Sequence, residues 1–193
     1  MKILALVMVG SVAALAEDKT EAQRLQDGEI IVTTQKVEGS TMPQATVRAV
    51  IDAPPDVVWP ILIDCANYKN TMPRIIESDA VSKTGDVKNG VTHCKVTADM
   101  PFPLADLVST TEATHKVEGT HYERTWKLIK GDYKTVTGAW VLDPLDDGKK
   151  TMATYRIHAE PKLALPDAIL SAAQTGALPK VIAKLREQTA AKK

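Results

Sequence analysis

The chain has 193 residues, 44% of them apolar, and sets 24 basic side chains against 24 acidic ones. That length and composition suit one folded domain with a substantial core. Zero net charge speaks against nucleic acid as the natural partner and against strong attraction to anionic lipid surfaces, and a single phenylalanine leaves no stacking platform for single-stranded nucleic acid.

Met1–Ala16 reads as an export signal. Lys2 supplies a positive start, Ile3–Ala14 an uncharged and largely apolar core, and Ala14-Leu15-Ala16 the small residues that a signal peptidase reads, ahead of Glu17 and Asp18. The alternative is a buried first helix. A membrane anchor is disfavoured, because the run falls short of the ~20 residues needed to span a bilayer. Cleavage after Ala16 leaves an exported chain, periplasmic or secreted. Glu17–Gly28 is charged and helix-tolerant, and reads as a leader ahead of a domain over residues 29–190.

Glu29–Val37 and Gln44–Asp52 have strand character, separated by a turn-rich stretch at Glu38–Pro43. Pro54 and Pro55 then end the extended run and start a helix, since proline suits a first helical turn but cannot donate to a ladder. Asp56 sits where the positive end of the helix dipole favours a carboxylate. Val57, Val58, Ile61, Leu62 and Cys65 mark one apolar helical face. Asn67 and Asn70 favour an exit, and Met72-Pro73 closes the element.

Strands follow at about ten-residue spacing, the mark of an antiparallel meander. They are predicted at Arg74–Ser82, Val91–Asp99, Leu107–His115, His121–Lys130, Tyr133–Asp143 and Thr151–Ala159, with the first hairpin turn at Lys88-Asn89-Gly90. Met100–Leu104 interrupts the meander with two prolines and is unusually apolar for a loop. It either covers an opening beside the sheet or packs on a helix. Pro166 and Asp167 begin a final helix reaching about Gln188, with small residues Ala172, Ala173 and Gly176 along its middle and Pro179 expected to kink it.

No G-x-S-x-G, H-E-x-x-H, Walker or G-x-G-x-x-G motif is present, and His93, His115, His121 and His158 are too scattered to pair on a metal. No cofactor is implied. Cys65 and Cys94 either bridge or remain as two buried thiols. By the two-residue period of a strand, Tyr122, Arg124, Trp126 and Leu128 share a face, as do Val136, Gly138, Trp140 and Leu142, with Cys94, Val96, Ala98 and then Met100, and with Tyr155 and Ile157. These rows fill a core or line a cavity, and Gly138 favours the cavity by leaving volume beside Trp140. Arg124 either reaches solvent at a strand end or points inward. Inside, it needs a carboxylate, water or an acidic ligand head group.

The order of "APPDVVW", "DCANYKNTMPRI", "GAWVLDPL" and a final "ALPKVIAKLRE" resembles the START-like helix-grip superfamily, which includes lipid-transfer domains and polyketide cyclase/dehydrase proteins. The resemblance covers roughly Glu29 to Gln188. It implies an α+β fold in which a curved antiparallel sheet wraps a long C-terminal helix, with a short helix after the second strand. It also implies a non-enzymatic binder or carrier of a hydrophobic small molecule or lipid, with transient membrane contact. The residues expected at the ligand are Met100, Phe102, Tyr122, Arg124, Trp126, Trp140, Tyr155 and Ile169. The alternative is a cyclase/dehydratase-like enzyme acting on an aromatic or polyketide-type substrate in the same cavity, with Arg124, Tyr122 and Tyr155 as its polar groups. A protein-interaction module is opposed by the export signal and the neutral charge.

Overall fold

The computed structural model describes residues 19–166, 169 and 176–191. The expected signal Met1–Ala16 lies outside the described residues, as do Asp167, Ala172 and Ala173 of the expected final helix.

Among the described residues eight strands form one antiparallel sheet: β1 (Ile31–Gln35), β2 (Gln44–Ile51), β3 (Ile75–Gly85), β4 (Asn89–Ala98), β5 (Leu107–Glu118), β6 (His121–Gly131), β7 (Tyr133–Leu145) and β8 (Lys150–Pro161). Their spatial order is β1-β2-β8-β7-β6-β5-β4-β3. The helical segment after β2 therefore carries the chain to the opposite sheet edge, and β3 to β8 return as a meander that closes on β2. Register shifts in the β3–β4, β5–β6 and β7–β8 pairs supply local bends. This is the curved helix-grip arrangement that the resemblance implied.

The segment after β2 is α2 (Pro55–Ile63), a 3-10 turn at Cys65–Asn67 and the single turn α3 (Tyr68–Thr71). Pro54 caps α2 in an extended conformation and Pro55 occupies its first turn, where no backbone donor is lost. The predicted apolar face turns inward: Val58, Ile61 and Leu62 are buried. The last helix is α4 (Leu178–Ala190), preceded by a π-type turn at residues 176–177. Pro179 falls in the first turn of α4 rather than inside a regular helix. The expected kink is thus a change of helix type at a position that tolerates proline.

One part of the concave side is solidly packed. Val47, Ala49 and Ile51 of β2, Trp59 and Leu62 of α2, Leu142 of β7, and Ile182 and Leu185 of α4 form a continuous buried cluster. Each such fully buried aliphatic side chain contributes about 1.5–3 kcal/mol.

Two sequence expectations need correction. From Lys19 onward the supposed leader is part of the packed structure. Helix α1 (Glu21–Gln26) carries a Thr20/Gln23 capping box, and Leu25, 1% exposed, packs on Ile31 and Val50 on the other face of β2. The first hairpin turns earlier than Lys88-Asn89-Gly90: Gly85 has φ +81°, and the Asp86 carboxylate accepts from the Lys88 and Asn89 amides. Gly90 already lies in β4, where a Cβ would stand 2.7 Å from the His115 ring.

Candidate functional site

Beyond the packed cluster the concave face holds a partly open cavity of about 280 Å³. Its walls follow the two-residue period of the strands. β4 contributes Cys94, Val96 and Ala98, β5 Ser109, Thr111 and Ala113, β7 Val136 and Trp140, and β8 Tyr155, Ile157 and Ala159. Arg124 and Trp126 come from β6. Tyr68, Met72, Pro73 and Ile75 close the α3 side, and Val181 of α4 reaches in from the helix.

An aromatic stack forms one wall. The Trp140 and Tyr155 rings lie nearly parallel with centroids 4.5 Å apart, and Trp126 stacks on Tyr155 at 6.0 Å. Offset stacking of this kind adds about 0.5–1.5 kcal/mol per pair beyond area burial. Burial pushes the Tyr155 hydroxyl well above its ordinary range, and pushes that of Tyr133 up to about 12. Both remain neutral donors at physiological pH.

Gly138 leaves no empty volume beside Trp140. It lies opposite Trp126, and the Trp126 indole occupies the space where a side chain would be. The glycine lets the indole lie flat across β7 and complete the stack.

Arg124 points inward and is 1% exposed. It stands on β6 between His115 of β5 and Trp140 of β7. Its Nη1 donates a long hydrogen bond of 3.5 Å to the Ile63 carbonyl. It also lies beside Tyr68, whose hydroxyl donates to the Leu62 carbonyl. Burial drives the Tyr68 hydroxyl upward, and Arg124 works against that shift. Among the described residues no carboxylate forms an ion pair with Arg124.

A disulfide between Cys65 and Cys94, with Cα atoms 5.9 Å apart, ties the 3-10 turn to β4 at the cavity wall. The β3–β4 turn is pinned from inside as well. Trp59 Nε1 donates to the Val87 carbonyl at 2.7 Å, and His115 Nε2 lies 2.7 Å from the Asp86 carbonyl. A carbonyl only accepts, so His115 carries its proton on Nε2. Its buried Nδ1 has no hydrogen-bond partner. Among the described residues no cluster of His, Cys, Asp or Glu is arranged to hold a metal ion.

The profile of the polyketide cyclase / dehydrase and lipid transport family matches residues 51–186. The chain belongs to that family. No curated protein matches it by sequence. Among solved structures, the STAR-related lipid transfer protein of Xanthomonas axonopodis aligns with a TM-score of 0.72 at 20% identity, over 83% of this chain and 93% of that one. Human STARD10 aligns with a TM-score of 0.68 at 19% identity, over 83% and 69% respectively. The Zhui aromatase/cyclase of Streptomyces sp. R1128 aligns with a TM-score of 0.53 at 11% identity, over 85% and 93%. At such identities these likenesses carry the fold.

Of the residues predicted at the ligand, Arg124, Trp126, Trp140 and Tyr155 meet at the cavity of this family member. Tyr122 packs edge-on against Trp59, with ring centroids 5.3 Å apart, in the solid cluster. Met100 and Ile169 are half-buried and lie outside the described lining. Phe102 projects into solvent at 97% exposure, so it neither covers an opening nor packs on a helix. Tyr68, Met72 and Tyr133 line the cavity without having been singled out in the sequence. Tyr133 follows the alternation of Val136 only across a register shift between Tyr133 and Thr135, which hides it from a two-residue count.

Proposed function

We propose that the protein binds and carries a hydrophobic small molecule or lipid in the cavity between its sheet and its helices. The observation that carries this reading is the unfilled, aromatic-walled hollow beside a core that is elsewhere well packed. A few polar groups in an apolar pocket is the pattern of a selective small-molecule site. The family's descriptor includes lipid transport, and the likeness to a STAR-related lipid transfer protein supports the same reading. The Lys2, Ile3–Ala14 and Ala14-Leu15-Ala16 pattern favours work outside the cytoplasm. Native mass spectrometry of the protein purified from its own source tests the carrier role. A bound apolar compound, displaced by added lipids, is expected. Failure to retain or take up any apolar compound overturns the reading.

Phe102, flanked by Pro101 and Pro103 on the β4–β5 loop, suits transient contact with a membrane during loading. Phe102→Asp should weaken co-flotation with neutral phosphatidylcholine vesicles. Equal flotation of the two proteins rejects the contact.

A second reading is favoured by the polar groups of the lumen. Arg124, Tyr68 and Tyr155 would position and protonate a polyketide-type substrate, and the aromatase/cyclase likeness is compatible with it. Turnover of a poly-β-keto substrate analogue that falls sharply in Tyr155→Phe supports an enzyme. Absence of turnover alongside tight ligand retention supports the carrier.

A further inference from the structure

We infer that the cavity takes an amphiphile with one anionic head, a carboxylate or a phosphate monoester, held head-inward on Arg124. The inference rests on the ligand-binding reading above and names its ligand class. A guanidinium has five donors and stays charged at any physiological pH. Here its Nη1 makes one long bond to the Ile63 carbonyl, its remaining protein partner is the neutral Tyr68 hydroxyl, and among the described residues no carboxylate forms an ion pair with it. Burying a cation without an anionic partner costs several kcal/mol. Yet Arg124 is 1% exposed and forms part of the cavity lining. A planar fork facing a hollow matches a carboxylate or phosphate, whose oxygens accept two parallel hydrogen bonds.

The surroundings of Arg124 set the orientation. Tyr68 at the start of α3 lines the cavity beside it, the Ile63 carbonyl at the end of α2 accepts its Nη1 bond, and the Cys65–Cys94 disulfide braces that wall. His115 on the neighbouring strand has its proton on Nε2, committed to the Asp86 carbonyl, so it contributes no negative charge. Tyr68 also holds its proton, bonded to the Leu62 carbonyl. From Arg124 the wall continues over the Trp126–Tyr155 stack to Val96, Ile157 and Ala159, an apolar path for the body of the ligand. The 280 Å³ volume lies just under the lower end of the roughly 300–1,000 Å³ range of small-molecule sites. It suits one alkyl chain or ring system rather than a two-chain lipid.

Calorimetric titration of the processed protein with dodecanoate, dodecyl phosphate, dodecanol and inorganic phosphate tests this. The two anionic amphiphiles should bind about tenfold or more tightly than dodecanol, since a hydrogen bond to a charged group is worth about that factor or more. Arg124→Gln should bring the three amphiphiles to similar affinity, and Arg124→Lys should retain part of the preference. If Arg124→Gln does not fold, the acid-to-alcohol ratio of the unaltered protein decides alone. Dodecanol binding as tightly as dodecanoate overturns the anionic head while leaving the hydrophobic cavity standing. Inorganic phosphate binding as tightly as dodecyl phosphate overturns the amphiphile in favour of a free anion. If no amphiphile binds, the cavity reading falls, and this inference with it.

Discussion

Gly138 and Trp126 face each other across the β6–β7 pair, and a Cβ added to Gly138 would stand 2.2 Å from the indole Cζ2. It would also lie 2.6 Å from the Arg156 carbonyl oxygen of β8, a backbone atom that cannot step aside without moving the ladder. Gly138→Ala should therefore destabilise the protein by about 1–3 kcal/mol, the usual cost of overpacking. It should also displace Trp126 from Tyr155 and weaken ligand binding. A shifted urea midpoint with altered tryptophan fluorescence checks this, and an unchanged midpoint would show that the indole has another resting place.

The same pair shows what a sequence does and does not convey here. Alternation along each strand correctly put Arg124, Trp126, Trp140 and Tyr155 on one face, because the side-chain period of a strand is insensitive to its partners. It could not say that Trp126 falls opposite Gly138, since that depends on register between strands. From the sequence alone the glycine therefore reads as space rather than as a seat. The orientation of Tyr68 was hidden for a similar reason, because a 3-10 turn and a disulfide aim it at the cavity, and neither has a periodic signature. Leu25 was lost in a charged stretch, where one apolar residue has no period to reveal it. Phe102 shows the converse: its apolar neighbours suggested burial, yet nothing in the loop's composition determined where the ring would point.

The Cys65–Cys94 link should be a major source of stability. It closes a loop with a sequence separation of 29. Restricting the unfolded chain over such a loop contributes about 3–4 kcal/mol in the chain-entropy treatment. The double variant Cys65→Ala, Cys94→Ala should lose about that amount in urea unfolding, and a thiol reductant should bring the unaltered protein to the same midpoint. A reductant-insensitive midpoint would mean that the bond carries little of the stability.

Acid sensitivity should centre on Glu160. Lys134 Nζ donates to its carboxylate at 2.8 Å, and the Ser40 and Thr41 hydroxyls add further hydrogen bonds, tying the β1–β2 loop to β8. These contacts, Lys134 foremost, hold the carboxyl down from an ordinary 4.5 to about 2. A depressed acid stabilises the fold above its unfolded value and loses that contribution as pH falls. Stability should thus decline from about pH 4.5 towards pH 2, and Glu160→Gln should flatten that part of the curve. Urea midpoints measured across this range decide it, and parallel curves for the two proteins would remove Glu160 from the account.

His115 should produce a second, separate loss at milder pH. Burial holds its imidazole below the ordinary 6.5, with the charge of Arg124 acting in the same direction, while its bond to the Asp86 carbonyl opposes the shift. Protonation would place a cation on the unpartnered Nδ1, between the Trp59 edge and Arg124, with no acceptor there to receive it. The folded state therefore binds this proton less readily than the unfolded chain does. The associated stability is complete above about pH 6.5 and falls away as pH drops below it. Only the neutral Nε2–H form is needed to hold the Asp86 carbonyl, so His115→Gln, which retains an amide donor, should keep the β3–β4 turn in place while abolishing this pH step. Hydrogen exchange at Lys88 and Asn89, measured at pH 7.5 and 5.5 with intrinsic-rate correction, reports on the turn directly. Protection should drop at the lower pH in the unaltered protein and stay level in His115→Gln; an equal drop in both would place the sensitivity elsewhere.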